Sequence, residues 1–308
     1  MAKETNSTKR PNFAGKEVRE NMKITFEGQT HSIDANTLIN VLSYYQVIIS
    51  EANRIYGDGA KDIDVKVNAP VRGSFVVDIS LVQTIVEQLF NRSSVEYLAG
   101  LSAVIGGAYK LYRHFYGRPI KTEEDKQQAR TIINVKGDLV VKTTNVYNLR
   151  ITREAISKTI ETADADTSVE GLTLSESGDD RGVTFSKDDF KKYIYDDFDT
   201  EEDTPDERNV DVDAILIILS LNFEPGGRWA FMYEGFKISV IVKDSAIAKH
   251  IDEGARFGKG DAIRVKLRKI QQYNKRYKTF ENKGYKILEF YKHIPAPKQT
   301  EIDFSEDV

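Results

Sequence analysis

Five runs of alternating apolar residues between positions 209 and 294 constrain the fold of this 308-residue chain more than any other feature. A period of two predicts β-strands that bury one face. One short helical segment, with Asp244 as its cap, separates the third run from the fourth. The five runs are NVDVDAILIILSLNF, RWAFMYEG, FKISVIVKD, GDAIRVKLRKI and KGYKILEFYKHI.

The order of these elements, three strands, a helix and two strands, is that of the oligonucleotide/oligosaccharide-binding (OB) barrel. We therefore predict a five-stranded OB-like β-barrel for residues 209–295. Helices and strands are both predicted elsewhere in the chain, so the predicted fold class is α+β.

The first part of the chain predicts a separate α+β domain over residues 22–120. MKITFEGQTHSI predicts a hairpin around Gly28, and a helical period follows Asp34 and ends at Gly57. Two more alternating runs and two helices, at about 82–91 and 94–116, complete a small antiparallel sheet with helices packed on it. We interpret this part as an assembly domain, preceded by a disordered arm over residues 1–21.

Two segments connect the predicted domains. Residues 121–174 predict a hairpin around Gly137, then a short helix and a strand near 169–174. Residues 175–208 predict an acidic linker with a short helix capped by Ser186. From 175 to 213 there are fifteen Asp or Glu against five Lys or Arg, a local net charge of −10. After the barrel, residues 296–308 predict an acidic, disordered tail.

The predicted barrel is basic, although the whole chain carries a net charge of −4. Residues 226–297 contain sixteen Lys or Arg against seven Asp or Glu, a net charge of +9, and 268–287 is the densest part. Cations alternate with apolar residues on the fourth strand, so they share its solvent face, and aromatic residues fall in or beside the next loop. The candidate binding residues are Arg264, Lys266, Arg268, Lys269, Tyr273, Lys275, Arg276, Tyr277, Lys278, Phe280 and Lys283.

Aromatic residues interleaved with cations predict binding of single-stranded DNA or RNA, because bases stack on rings while cations follow the phosphates. A protein partner with an acidic surface is a second interpretation of the same residues. A third is that lysines protect the edge of a sheet from aggregation while tyrosines pack across strands. The sequence leaves these three interpretations open.

No pattern in the sequence predicts an enzyme. The chain has no cysteine, which excludes disulfides and thiolate chemistry. The segment EGARFGKGD resembles a phosphate-binding loop, but Lys259 is followed by Gly260 instead of Ser or Thr. The four histidines have no second ligand at metal-binding spacing, and the paired aspartates lie in hydrophilic stretches. We expect a non-enzymatic protein without a metal or a cofactor.

The segment SSVEYLAGLSAVIGGAYKLYRHFYG, residues 93–117, predicts a helix with an uncharged run of thirteen residues, 97–109. A bilayer requires about 20. Ala99, Ala103 and Gly107 recur on one face and allow close approach of another helix. The segment therefore predicts a buried or oligomer-forming helix, with a membrane-acting effector as the alternative. The N-terminal residues lack the apolar stretch of a signal peptide, so we expect a cytoplasmic protein.

The tail contains QTEIDF, which is similar to the Gln-x-x-Leu-x-Phe peptides with which bacterial replication proteins bind the sliding clamp. Gln299, Ile302 and Phe304 occupy the defined positions. Isoleucine stands where leucine or methionine is usual. The tail is accordingly a candidate clamp-binding peptide.

Three segments, APVRGSFVVDISL, TTNVYNLRITREAISKTIE and RWAF…GFKISVIVKD…FGKGDAIRVKL, resemble a group of uncharacterised bacterial and prophage proteins with a C-terminal OB-like module. The resemblance implies a bacterial or phage origin and a setting of conflict between mobile elements. The leading interpretation is an oligomeric binding protein that engages single-stranded nucleic acid, or a protein complex associated with it, in phage defence or counter-defence. The alternative is an inhibitor or scaffold that binds protein alone.

Overall fold

The computed structural model describes residues 15–28, 32–57, 63–68, 75–86, 93–133, 137–176, 182–198, 206–224, 227–242, 246–274 and 279–296. The chain divides into two units, and each is described separately. The N-terminal unit comprises residues 15–210 together with 270–283. The C-terminal unit has its described residues within 211–269 and 284–296.

Helices predominate in the N-terminal part, whereas strands predominate after residue 206. The N-terminal part contains β1 (Gly15–Glu27), α1 (Ala35–Tyr56), β2 (Asp64–Val67), β3 (Phe75–Val86), α2 (Ser93–Phe115), α3 (Glu123–Ile133), α4 (Asp138–Asn148), α5 (Arg150–Ala165), β4 (Gly171–Glu176), β5 (Val183–Ser186) and α6 (Phe190–Tyr193). The remainder contains β6 (Glu207–Ser220), β7 (Arg228–Tyr233), β8 (Phe236–Ile241), α7 (Ala246–Asp252), β9 (Ala262–Asn274) and β10 (Thr279–Ile294).

The sheet of the N-terminal unit has five antiparallel strands in the order β2-β3-β1-β4-β5. The central strand β1 pairs with β3 from Gly15 opposite Val86 to Phe26 opposite Phe75. Alternate residues of β1 are buried, which places the core on one face of the sheet. The sheet is therefore larger than the small sheet that the sequence predicts.

The structure differs from the sequence prediction around β1 and β3. MKITFEGQTHSI does not form a hairpin at Gly28, since β1 pairs with β3 and β4, which lie far away along the chain. Residues 15–21, within the expected disordered arm, belong to β1. Residues 82–86, within the expected helix, belong to β3. Pairing between distant segments decides these elements, and a local pattern does not reveal it.

Helix α1 begins and ends where the sequence predicts. The Asp34 carboxylate accepts hydrogen bonds from the backbone N–H groups of Asn36 and Thr37, at 2.8 and 3.3 Å. This is the N-cap arrangement that satisfies otherwise unpaired donors of the first turn. At the other end, the N–H of Gly57 donates to the Asn53 carbonyl.

Between residues 123 and 148 the structure has helices α3 and α4, where the sequence predicts a hairpin around Gly137. Gly137 has φ of 72°, and it immediately precedes α4. The segment is rich in β-branched residues, which favour strands locally. Its buried residues Thr143, Val146 and Tyr147 instead follow a helical spacing, so tertiary packing overrides the local preference.

Two shorter elements complete the N-terminal part. The strand predicted near 169–174 is present as β4. Ser186 precedes a 3₁₀ turn, Lys187–Asp189, and then the single turn α6, but its side chain makes no cap hydrogen bond there.

Helix α2 is part of the core of the N-terminal unit, which confirms the interpretation of this segment as a buried helix. Leu98, Leu101, Val104 and Ile105 are fully buried. Of the three small residues singled out in the sequence, Gly107 is buried, while Ala103 is half-buried and Ala99 is exposed. None of the helices in the described ranges is long and apolar enough to cross a bilayer.

Replacing Gly107 by alanine is expected to cost about 1–3 kcal/mol of stability relative to the same replacement at Gly106. A Cβ at Gly107 would lie 2.7 Å from Cγ2 of the buried Thr143 on α4, whereas one at Gly106 would meet only the flexible end of Glu176, at 3.0 Å. Both variants gain the same helix propensity, so the difference between their stabilities reports the close approach of α2 and α4. Thermal unfolding followed by circular dichroism measures this difference in stability, and equal stabilities would contradict the prediction.

The sheet of the C-terminal part has five antiparallel strands in the order β10-β9-β6-β7-β8. Glu234 and Gly235, both with positive φ, form the tight turn between β7 and β8. The predicted order of strands and helix is confirmed. The predicted barrel closure is not confirmed, because no pairing joins β8 to β10 within the described residues.

The strands β9 and β10 are longer than the sequence predicts, and the segment 268–287 is mostly a β-hairpin. Strand β9 extends to Asn274 and β10 begins at Thr279. Residues 270–283 of this hairpin cluster with the N-terminal unit, as do residues 207–210 at the start of β6.

Candidate functional site

The candidate site is a set of alternating charges on one face of the C-terminal sheet. Arg264, Lys266 and Arg268 alternate along β9 with the buried Val265 and Leu267, so they share the opposite face, as predicted. Each cation lies beside a carboxylate of a neighbouring strand. We call these cations and their partners Asp211, Asp213 and Glu289 the charge ladder.

The closest pair in the charge ladder joins β9 to β6. Arg268 donates two parallel hydrogen bonds to Asp211, from Nε to Oδ1 at 2.6 Å and from Nη2 to Oδ2 at 2.7 Å. The hydrogen bond from Arg268 lowers the pKa of Asp211. The other pairs are longer, at 3.5 Å between Arg264 and Asp213 and 3.6 Å between Lys266 and Glu289.

Tyr291 on β10 adds an aromatic ring to the charge ladder. Its hydroxyl donates to Asp213 Oδ1 at 3.1 Å, and its ring centroid lies 5.6 Å from the Arg264 guanidinium. Burial and the neighbouring Asp213 raise the pKa of Tyr291 to about 12, so the phenol stays protonated at neutral pH. Tyr291 as a whole residue is 41% exposed. The sequence interpretation missed this residue, although it lies two positions after Glu289 on the fifth predicted strand.

The charge ladder contains three cations and three carboxylates, so its own charges balance. Asp211 and Asp213 belong to β6, although the sequence count placed them in the acidic segment 175–213. The net charge of +9 for residues 226–297 therefore overstates the positive charge on this face. Strand pairing brings together charges that are between 23 and 57 residues apart in the chain.

Tyr273 and Phe280, predicted to stack on bases, pack against the core of the N-terminal unit. Their ring centroids are 5.2 Å apart, and the Arg208 guanidinium lies 3.6 Å from the centroid of Phe280. Burial and Glu154 raise the pKa of Tyr273 to about 12. Both rings are half-buried in this arrangement.

Arg208 is held by a buried carboxylate of α1. Its Nη1 lies 2.5 Å from Glu51 Oε1, and its Nε donates to Gln271 on β9 at 2.8 Å. Glu51 also accepts from Arg54 at 2.9 Å and is 1% exposed. These contacts fix the end of the β9–β10 hairpin within the N-terminal unit.

The remaining predicted residues are distributed as follows. Lys269 lies 3.1 Å from Glu234 and 4.9 Å from the Tyr233 ring. Lys283 pairs with Glu281 at 2.7 Å. Lys275, Arg276, Tyr277 and Lys278 lie outside the described residues, as do Gln299, Ile302 and Phe304 of the tail.

A second polar cluster of the C-terminal unit surrounds Asp261. Its carboxylate accepts from the backbone N–H groups of Gly258 and Ala296 and lies 2.7 Å from His293 Nε2. Burial by itself raises the pKa of Asp261, but these donors outweigh it and bring the pKa below its usual value. No group of three or more His, Cys, Asp or Glu that could hold a metal ion occurs in the described ranges.

Comparisons with known proteins give no relative from which a function can be transferred. No family model matches the chain, and neither does any curated protein or solved structure. The resemblance to uncharacterised bacterial and prophage proteins is thus not confirmed. The structure establishes a mixed α/β chain with two five-stranded antiparallel sheets.

Proposed function

We propose that this chain is a non-enzymatic, oligomeric binding protein of a bacterium or phage, and that its C-terminal unit is an OB-like module. The module engages single-stranded nucleic acid, or a protein complex associated with it, along the charge ladder. The observation that carries the proposal is the row of Arg264, Lys266 and Arg268 on one face, with the half-exposed ring of Tyr291 beside it.

The strand order supports the OB-like character of the module. In an OB barrel the first strand lies between the second and fourth, and the fifth lies beside the fourth. Strand β6 lies between β7 and β9, and β10 lies beside β9. This is the order of an OB barrel opened between its third and fifth strands.

The pairing of each ladder cation with a carboxylate is compatible with phosphate binding. The side chains of these pairs are between 29% and 57% exposed. Exposed ion pairs are weak when they are not bidentate, so a phosphate replaces the carboxylate at small cost beside Arg264 and Lys266, and at a larger cost beside Arg268. The Tyr291 ring supplies a stacking surface for a base, worth about 1–3 kcal/mol.

Direct binding tests the proposal. Fluorescence anisotropy with labelled single-stranded DNA and RNA should show an affinity that falls steeply between about 50 and 200 mM salt, because phosphate contacts release counterions. A double-stranded DNA of the same length serves as the control for general charge attraction. Absent binding, or an affinity that does not respond to salt, would contradict the proposal.

The balanced charges of the ladder favour a second candidate function, an inhibitor or scaffold that binds protein alone. A surface with both signs in fixed positions matches a protein partner with the reverse pattern better than it matches a uniform polyanion. Affinity capture from cells with and without nuclease treatment separates the two. A partner retained after nuclease treatment supports the second function, and a partner lost supports the first.

The proposed setting, phage defence or counter-defence, is supported by the sequence resemblance alone. Expression in a bacterial host challenged with a panel of phages tests it through the efficiency of plating. The proposed oligomer is tested by sedimentation of the full chain.

A further inference from the structure

The end of helix α2 holds a tyrosine in a backbone conformation that tyrosine rarely adopts. Tyr116, the first residue beyond α2, has φ of 53°. This left-handed conformation is common for glycine at the C-terminal end of a helix, whereas it is strained for a bulky residue. Strained residues of this kind cluster at ligand-binding sites, so the side chain of Tyr116 is a candidate for recognition.

The ring of Tyr116 forms the outer layer of an aromatic stack. It lies parallel to the ring of Tyr193, with centroids 5.4 Å apart and an interplanar angle of 7°. The Tyr193 ring in turn meets the buried Phe185 edge to face, at 5.0 Å. Tyr116 as a whole residue is 46% exposed. Since Tyr193 covers one face of the Tyr116 ring, a ligand reaches this ring from its other face and its edge.

Backbone and side-chain contacts hold the stack in place. The Tyr112 hydroxyl on α2 donates to the Tyr193 carbonyl at 2.7 Å, and the N–H of Gly117 donates to the Tyr112 carbonyl at 3.3 Å. Gly117 lies so close to Tyr195 that a Cβ on this glycine would be 2.7 Å from the Tyr195 Cβ. The two stacked rings are therefore carried by segments that are packed together, which lowers the entropy lost when a planar ligand binds.

The surroundings of the stack are cationic. Residues 113–121, RHFYGRPIK, contain three Lys or Arg and no Asp or Glu. Arg113 and Lys192 are both exposed. Burial and the neighbouring Tyr116 raise the pKa of Tyr193. Arg113 and Lys192 oppose this rise in pKa, because their charges lie close to the Tyr193 hydroxyl.

We propose that the outer face of the Tyr116 ring binds a nucleobase by stacking, and that Arg113 and Lys192 contact its phosphate. An aromatic ring beside cations is the combination that binds single strands independently of their sequence. An apolar peptide fits less well, because Arg113 and Arg118, exposed neighbours of Tyr116 in the chain, are charged. The exposed ion pair of Lys192 with Asp189 is weak, so a phosphate replaces the carboxylate at small cost. The inference rests on the proposed function for the class of its ligand, and it adds a site in the N-terminal unit.

Replacing Tyr116 by glycine tests the proposal, because glycine removes the ring and also relieves the strained backbone. The thermal midpoint of Y116G should therefore lie no more than a few degrees below that of the wild-type chain. Fluorescence anisotropy with a labelled single-stranded oligothymidylate should show an affinity roughly five- to 150-fold lower for Y116G, as expected for the loss of one stacked base. Y116F keeps the ring, so its affinity should stay within about twofold of the wild-type value.

A double variant tests the cations. In R113A/K192A the slope of log affinity against log salt should become shallower by about 1, since two phosphate contacts at about 0.7 each are lost. The matched control is R19A/K66A, which removes one arginine and one lysine that pair with Glu17 on the sheet of the same unit. Equal changes of slope in the two double variants contradict the proposed phosphate contacts.

A nucleobase with its phosphate comes either from a single strand or from a free nucleotide. Adenosine monophosphate is therefore added as a competitor of the labelled strand. If it competes at about the same concentration as unlabelled strand, the stack binds free nucleotides. If the unlabelled strand competes at a concentration at least about tenfold lower, the stack binds single strands, because further phosphates strengthen the binding.

Comparison with the charge ladder separates this inference from the proposed function. If R264A/K266A/R268A lowers the affinity for the strand and Y116G does not, the proposed function stands and this inference is wrong. If Y116G lowers the affinity and R264A/K266A/R268A does not, the stack is the binding site and the charge ladder is not. A wild-type chain that binds neither strand nor nucleotide overturns both.

Discussion

Replacing Glu51 by glutamine is expected to destabilise the N-terminal unit by about 3–5 kcal/mol, because it removes the only negative charge of a buried ion triad. Glu51 lies within 2.9 Å of Arg54 and within 2.5 Å of Arg208. Glutamine is isosteric but neutral, so the Arg208 guanidinium, whose side chain is 16% exposed, loses its charge compensation. Since Arg208 also covers Phe280, the end of the β9–β10 hairpin should lose its protection from amide exchange.

A matched control is available in the same unit. Glu17 also lies between two cations, with Lys66 at 2.8 Å and Arg19 at 2.5 Å, but it is 33% exposed. Replacing Glu17 by glutamine should change stability by no more than about 1 kcal/mol. Helical circular dichroism measures the unfolding of α1–α5, while the single tryptophan, Trp229, reports on the C-terminal unit. Equal losses of stability for Glu51→Gln and Glu17→Gln would show that the burial of Glu51 does not make its ion pairs more important for stability.

Replacing Arg264, Lys266 and Arg268 together by alanine is expected to lower the affinity for single-stranded DNA by roughly ten- to a hundredfold. The slope of log affinity against log salt should also become shallower by about 2, since three phosphate contacts at about 0.7 each are lost.

Removing the carboxylates of the charge ladder should instead raise the affinity for single-stranded DNA. In D211N/D213N, Arg268 and Arg264 lose their carboxylate partners, so a phosphate no longer has to displace a carboxylate from these cations.

The control for general charge is a triple variant elsewhere on the same unit. Lys249, Arg256 and Lys259 are exposed, and their replacement by alanine removes the same number of charges. If both triple variants lower the affinity equally, the charge ladder is not the binding surface. If D211N/D213N binds more weakly than the wild-type chain, the carboxylates are themselves part of the recognised surface, as a protein partner would require.

Two features encoded by a local pattern were predicted correctly, whereas the hairpins predicted from local patterns at Gly28 and Gly137 were not. The alternation in GDAIRVKLRKI placed three cations on one face of β9, and Asp34 and Gly57 marked the ends of α1. Side-chain alternation in a strand and capping of a helix depend on residues within a few positions of each other. Features that depend on partners far along the chain were missed, as for β1, whose neighbours β3 and β4 begin 60 and 156 residues later.

The candidate site shows the same division. The sequence by itself determined that three strands, a helix and two strands follow one another along the C-terminal part of the chain, and that Arg264, Lys266 and Arg268 share one face. Only the tertiary structure decided that Asp211, Asp213 and Glu289 stand opposite these cations, and that Tyr273 and Phe280 pack into the N-terminal unit. The physical reason is that a period of two is a local property of the chain, whereas the neighbours of a strand are chosen by non-local pairing and burial.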